Sequence, residues 1–188
     1  MEYTLEDKLL LIDKEMQKSA SKNPIEIAAH LMDQDFISIH GPEHHYLDGA
    51  AFLTAYKNAG GAIDLAQALK ELKIRTGKMP GAMCGLWGVC GSVSSLGACL
   101  AIINGTGPLT ENAYYKHNME FTSGVLAKMA KIGGPRCCKR NAFLSITNGV
   151  DFVREKYNIQ MELPPRLQCR YSDKNQQCIK EKCPFYKK

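Results

Sequence analysis

The stretch CGLWGVCGSVSSLGACLAII, from Cys84 to Ile103, is long, apolar and rich in glycine and cysteine. No charged residue occurs between positions 79 and 110. A stretch of this kind predicts either a membrane span or a buried central helix. Its glycines, serines and cysteines favour the buried helix, on which Gly88, Gly91 and Ser95 share one face and let a second backbone pack closely.

Helical patterns flank this stretch on both sides. Asn23 and Pro24 form a helix start signal, and residues 63–72 form an amphipathic helix. Further on, Thr110 is expected to cap one helix and Pro135 to occupy the first position of another. Because no segment alternates convincingly with period two, the sequence predicts an all-α fold, a compact helical domain around the Gly/Cys-rich central helix.

The charge distribution divides the chain into two predicted segments. The formal net charge is +5, and the residues from Pro164 onward hold seven Lys and Arg but only two acids. We therefore expect a helical domain over residues 1–163 and a basic, Cys-rich tail over residues 164–188 packed on it. A basic tail can meet an acidic protein, a nucleic acid or an anionic membrane surface, or it can be a solvated terminus.

The cysteine content points to metal or thiol chemistry. The first twenty residues lack the apolar segment and cleavage site of a secretion signal, which predicts a cytoplasmic protein. Disulfides are uncommon in the cytoplasm, so eight cysteines favour metal ligation or thiol reactivity. Cys99, in LGACLAII, is better explained as a small buried hydrophobic residue.

The sequence GGPRCCKRN, residues 133–141, places two cysteines in a cationic turn. A helix that begins there would direct unpaired N–H groups toward Cys137 and Cys138, and with the neighbouring cations this predicts a lowered pKa for at least one thiol. The alternative is an anion-binding helix start with incidental cysteines. In either case the flanking cations are expected to balance negative charge or to hold an anionic ligand: Arg136, Lys139 and Arg140.

A central metal site is predicted from Cys84 and Cys90 together with one or both of Cys137 and Cys138. The glycines around the first two cysteines would let backbone amides donate hydrogen bonds to the sulfur atoms of an iron–sulfur centre. The spacing is not that of a zinc ribbon. Alternatively, these glycines serve helix packing alone.

A histidine cluster, HGPEHHYLD from His40 to Asp48, lies near a predicted helix start. His44 and Asp48 are one helical turn apart, the spacing at which a carboxylate can orient an imidazole. His45 is predicted on the apolar face. These histidines are either satisfied core residues or ligands and proton donors aimed at the cysteine site.

The tail contains Cys169, Cys178 and Cys183, followed by Pro184. Three thiols in so short and polar a segment predict a metal knuckle, since a bound metal would account for its folding. A Cys-Pro pair also ends the cluster-binding run of bacterial ferredoxins, although the preceding spacings differ. The sequence identifies no fourth ligand, which could be a side chain of the main body, a water molecule or a substrate atom.

Four motifs together carry a resemblance to a known family: GPEHHYL, CGLWGVCGSVSSLGA, GGPRCCKRNAFLSI and the final C…C…CPFY. The chain resembles an uncharacterised Cys/Gly-rich domain family of anaerobic bacteria and archaea. Members of that family occur alone or beside radical S-adenosylmethionine or methyltransferase domains. The resemblance implies an anaerobic, cysteine-dependent context and no established reaction. A weaker similarity to small Gly-Cys-rich redox proteins of anaerobes differs in spacing and carries no residue roles.

Three functional hypotheses follow. The first is a metal-binding redox or accessory protein of anaerobic one-carbon or sulfur metabolism. Its cofactor would be an iron–sulfur cluster or, alternatively, zinc. Its partner would be an acidic electron carrier, a radical S-adenosylmethionine enzyme or a methyltransferase. The second is a thiolate-dependent persulfide carrier or transferase that uses Cys137 or Cys138, with His44 or His45 moving protons. The third is a zinc-stabilised module that binds nucleic acid or an acidic partner, although few tail aromatics are available to stack on bases.

Overall fold

The computed structural model describes residues 3–187, which form eight α-helices and no β-strand. The all-α prediction is therefore confirmed. In chain order the helices are α1 (Leu5–Lys18), α2 (Pro24–Met32), α3 (Glu43–Asn58), α4 (Leu65–Thr76), α5 (Met83–Leu86), α6 (Gly91–Ile103), α7 (Ala113–Ile132) and α8 (Cys138–Tyr157).

Helix α3 lies at the centre of the molecule, because every residue from Glu43 to Tyr56 is buried. Helices α1, α2, α4, α6 and α8 pack around it. The approach of α6 is close at Gly49, where an added Cβ atom would lie 2.8 Å from the Cys99 sulfur. Glycine therefore allows the backbone of α3 to pack against side chains of α6.

The apolar stretch that predicted a central helix is divided in two. Gly88 adopts a φ of +70°, in the left-handed region that favours glycine, and this turn separates the four-residue α5 from the 13-residue α6. Gly91 and Ser95 are buried in α6, whereas Gly88 lies outside it. Within residues 3–187, no helix combines the length and hydropathy needed to cross a membrane.

Two predicted helix starts are wrong, and in both cases a side chain farther along the chain provides the cap. Asn112, not Thr110, caps α7 by accepting a hydrogen bond from the Tyr114 N–H at 2.9 Å. Helix α8 begins three residues after Pro135, where the Cys137 sulfur accepts a hydrogen bond from the Arg140 N–H at 3.4 Å. The helix predicted over residues 63–72 begins after the Asp64 cap.

Residues 158–187 contain no α-helix and pack against α2 and α8. The Cys169 N–H donates to the Phe185 carbonyl at 2.6 Å, and the Tyr171 hydroxyl donates to the Ala29 carbonyl at 3.2 Å. Phe143 of α8 contacts the rings of Tyr171 and Phe185. Residues 1, 2 and 188 of the two predicted segments lie outside the described residues.

Candidate functional site

The N-terminal ends of three helices meet at one cavity of about 330 Å³, which we call the central cavity. Helix α3 contributes His44, His45 and Asp48, and α6 contributes Gly91 and Ser92. The start of α8 and the segment around α5 also line it, with Arg136, Cys137, Cys138, Asn141, Gly81, Ala82, Met83 and Cys84. The cavity thus collects residues from three of the four motifs that the sequence singles out.

All four cysteines predicted for a central site line this cavity: Cys84, Cys90, Cys137 and Cys138. Cys90 is the N-cap residue of α6, and its sulfur accepts a hydrogen bond from the Asn141 side-chain amide at 3.3 Å. Cys137 is the N-cap residue of α8 and also lines a second cavity beneath the tail. Cys137 therefore lines both cavities, whereas Cys138 lines the central cavity and not the second one.

The prediction of a lowered pKa is wrong for Cys138. Burial raises the pKa of its thiol to about 12, and burial also raises the pKa of Cys90. Lys139 acts in the opposite direction on Cys138, but desolvation of a thiolate outweighs it. In this structure Cys138 is therefore a thiol at neutral pH, which argues against its use as a free thiolate nucleophile.

Three buried polar side chains of α3 line the central cavity and carry atoms without a hydrogen-bond partner. Both carboxyl oxygens of Asp48 and the Nδ1 atoms of His44 and His45 are unpaired among the described residues. The predicted His44–Asp48 pair is therefore not formed. Burial raises the pKa of Asp48 to about 7 and lowers the pKa of both histidines, so these imidazoles are neutral at pH 7.

Lys139 is buried in the protein rather than exposed to an external anion. Its Nζ donates to the Ser38 carbonyl at 2.8 Å and lies 3.0 Å from the His44 Nε2 atom. It also lies 5.5 Å from the centroid of the Tyr171 ring. Burial lowers the pKa of Lys139 to about 8. This lysine therefore joins α8 to the chain before α3 and to the tail.

The tail cavity is a small space of about 20 Å³ lined by four thiols: Cys137, Cys169, Cys178 and Cys183. Lys139, Arg140 and Asn175 line it as well. The main body thus brings Cys137 to the same cavity as the three tail cysteines.

Amide groups donate hydrogen bonds to sulfur around the tail cavity. Cys137 accepts from the Arg140 N–H at 3.4 Å and from the Asn175 side chain at 3.5 Å. Cys169 accepts from the N–H two residues later at 3.4 Å, and Cys178 does the same at 3.4 Å. Such donors stabilise a sulfur that carries negative charge, as in a metal thiolate.

The three predicted cations have separate positions. Arg136 is exposed and lines the central cavity, whereas Lys139 and Arg140 line the tail cavity. Arg140 also donates to the Gly133 and Pro135 carbonyls, at 3.1 and 2.9 Å, and so fixes the turn before α8. They do not form a single anion-binding group.

Within residues 3–187, no group of three or more His, Cys, Asp or Glu side chains is arranged to hold a metal ion. The four thiols of the tail cavity surround a common space without being drawn together around one point.

Family membership follows from a match over residues 12–186, which include both cavities and all eight cysteines. The chain belongs to DUF5714, a family of unknown function. No curated protein and no solved structure matches the chain. The prediction of an uncharacterised domain family is confirmed to this extent.

Two contacts of this DUF5714 member were not predicted from its sequence. His40 accepts a hydrogen bond from the Cys138 N–H at 3.4 Å, and its other ring nitrogen lies 3.0 Å from the Asn175 side-chain oxygen. Asn175 in turn donates to Cys137. This link connects the two cavities, but its members are far apart in the chain, so no local pattern indicates it.

We expect Gly91→Ala to destabilise this DUF5714 member by about 1–3 kcal/mol, because an added methyl group would overlap the His45 ring. Chemical denaturation would measure the change. The control is Gly124→Ala in α7, where an added Cβ meets nothing within 4 Å and helix propensity favours alanine. Equal stability of the two variants would contradict the close contact between α6 and α3.

Proposed function

We propose that this protein binds an iron–sulfur cluster through Cys137, Cys169, Cys178 and Cys183, and that it acts as a redox or accessory protein. The observation that carries the proposal is the tail cavity, where four thiols share one space. Four cysteine thiolates are the usual ligand set of such clusters. Hydrogen bonds from N–H groups to three of these sulfurs support the same conclusion.

Folding of the tail supports metal binding as well. The segment from residue 158 to 187 has no α-helix, and its cysteines are only partly buried. Burial raises the pKa of Cys169 and Cys183, so both are protonated at neutral pH without a metal. Binding would therefore release protons and would stabilise the docked tail.

The size of the tail cavity does not decide between an iron–sulfur cluster and a single zinc ion, because the thiols would have to move to bind either one. A cavity of about 20 Å³ is smaller than a cluster, so the tail would have to move outward to admit one. A zinc ion would instead require the thiols to close in, since Zn–S bonds are about 2.3 Å long. We favour iron–sulfur because of Cys183-Pro184 and the resemblance to domains of anaerobes.

The surroundings of the four thiols suit a redox role. Lys139 and Arg140 line the cavity and would offset the negative charge of a thiolate-ligated cluster. The tail also carries exposed cations at Arg166, Lys174 and Lys182, which would attract an acidic electron carrier. We therefore place this protein beside an electron-transfer reaction of anaerobic one-carbon or sulfur metabolism.

Anaerobic purification of the full chain, followed by iron, sulfide and zinc analysis, tests the proposal. We expect a brown protein with up to about four irons per chain. Cys178→Ser should lose most of this iron. Cys84→Ser is the matched control, because this thiol lines the central cavity and not the tail cavity, and it should keep the iron.

Three results would contradict the proposal. A chain that holds neither iron nor zinc has no metal centre. A colourless chain with one zinc would support the zinc-stabilised module instead. Loss of iron in Cys84→Ser but not in Cys178→Ser would move the cluster to the central cavity.

A further inference from the structure

We infer that the central cavity binds a small organic anion that carries a carboxylate group. This inference goes beyond the proposed metal centre and does not depend on it, since it concerns a separate space of about 330 Å³. That volume lies at the lower end of small-molecule pockets. It would hold roughly ten water molecules and hence a compact metabolite.

The ends of three helices give the cavity a positive potential. Helices of 16, 13 and 20 residues, α3, α6 and α8, all begin at its wall. No side chain caps the N-terminus of α3 or of α6. The helix dipoles at these ends favour negative charge in the space between them, and the carboxylate of Glu43 in the first turn of α3 is paired with Lys8.

Unpartnered side chains indicate that the cavity is built for a polar ligand. Asp48 is fully buried and His44 is 2% exposed, yet the Asp48 oxygens and the His44 Nδ1 atom have no hydrogen-bond partner among the described residues. His45, 9% exposed, also leaves its Nδ1 atom unpaired. Buried polar groups are costly without partners, so a ligand that bonds to them would be stabilised.

The charged side chains that line the cavity favour the binding of an anion. Among the described residues that line the cavity, Arg136 is the one Lys or Arg and Asp48 the one Asp or Glu. Burial raises the pKa of Asp48 to about 7, so near that pH much of it is a neutral carboxylic acid that can donate a hydrogen bond. The wall therefore offers more positive than negative charge.

An organic carboxylate fits this wall better than inorganic phosphate does. Arg136 offers a guanidinium, whose fork matches the two oxygens of a carboxylate. Pro42, Ala82 and Met83 line the same cavity and would contact the carbon skeleton of the ligand. Both features indicate an organic acid.

Calorimetric titration of the full chain with succinate near pH 6.5, in buffer of low ionic strength, tests this inference. We expect saturable binding with a Kd of about 0.1–1 mM, and none for the uncharged succinamide. Arg136→Gln should weaken binding roughly tenfold through loss of the charge-assisted hydrogen bonds. Arg154→Gln, the same change in the last turn of α8, is the control and should leave binding unchanged.

A second measurement locates the ligand within the chain. Succinate should slow the alkylation of Cys84, which lines the central cavity, without protecting Cys178, which lines the tail cavity. The titration is repeated on the Cys178→Ser variant. Binding that survives there separates this site from the proposed metal centre.

Three outcomes would overturn the inference. They are no saturable binding of succinate, acetate or propionate; equal binding of succinate and succinamide; or binding of inorganic phosphate alone. Undiminished succinate binding by Arg136→Gln would also overturn the inference, because the carboxylate would then lie elsewhere.

Discussion

Phe143→Ala is expected to lower the free energy of unfolding by about 3–5 kcal/mol and to release the tail from the body. The Phe143 side chain is 2% exposed, and its ring centroid lies 5.6 Å from that of Phe185 and 6.4 Å from that of Tyr171. The substitution therefore removes core packing and the aromatic contacts that hold the tail. Thermal unfolding should occur roughly 6–20 °C lower.

Phe152→Ala is the control that separates loss of core packing from loss of tail docking. Phe152 is also in α8, but its ring contacts Phe121, Tyr157 and His117 and no tail residue among the aromatic contacts of residues 3–187. Both variants should be destabilised. Limited trypsin digestion should cleave the tail faster in Phe143→Ala only, and equal cleavage in the two variants would contradict the role of Phe143 in docking.

Asp48→Asn is expected to stabilise the protein above pH 7, by about 1–3 kcal/mol. Burial raises the pKa of Asp48 to about 7, from an ordinary value of 3.8. This difference in pKa corresponds to a loss of folding stability of roughly 4 kcal/mol at most when the carboxylate is charged. The unpaired amide of asparagine offsets part of the gain. The gain arises because asparagine carries no charge that must be buried at high pH.

The raised pKa of Asp48 determines the direction in which the stability of the wild type changes with pH. Below pH 3.8 the aspartate is protonated in both the folded and the unfolded chain, so it adds no pH dependence. Between 3.8 and about 7 the unfolded chain loses a proton that the folded chain retains, so the stability of the wild type falls as pH rises. The advantage of the variant should therefore grow over this range and remain constant above it.

Neighbouring groups modify this titration without reversing it. Ser92 of α6 and Lys139 of α8 favour the charged carboxylate of Asp48, whereas the thiols Cys138, Cys90 and Cys99 would oppose it if they were ionised. Urea denaturation at several pH values, with the half-exposed Asp151→Asn as the control, would measure the effect. A constant difference between Asp48→Asn and the wild type from pH 4 to pH 8 would contradict the raised pKa.

The instability of a buried acid suggests why Asp48 is present at all. Binding sites commonly contain side chains that weaken the folded state and face a cavity. Succinate binding by the central cavity and stabilisation by Asp48→Asn would together support this explanation. The two measurements are independent, because one uses a ligand and the other uses none.

Local patterns in the sequence predicted the helices well. Asn23 and Pro24 begin α2 as expected, with the Asn23 side chain accepting from the Ile25 and Glu26 N–H groups. The absence of period-two alternation correctly indicated an all-α fold. Both signals depend on residues within one or two turns of each other, and such interactions act in the same way in any fold.

Predictions failed where a distant residue or burial decided the outcome. The cationic turn predicts a low thiol pKa for at least one of Cys137 and Cys138, but the structure buries Cys138 and raises its pKa to about 12. The spacing predicts that His44 pairs with Asp48. In the structure the Nε2 atom of His44 instead contacts the Ser38 carbonyl and the Lys139 amine. Charge and spacing are visible in a sequence, and the desolvation that opposes them is not.

The sequence by itself determined the helical class, the grouping of cysteines into motifs and the basic character of the tail. Only the tertiary structure placed Cys137 with the three tail thiols and brought the ends of α3, α6 and α8 to one cavity. The reason is physical: helix formation is a local property of the chain. The convergence of side chains from residues 40, 90, 137 and 175 depends on the packing of helices whose contacts lie many residues apart.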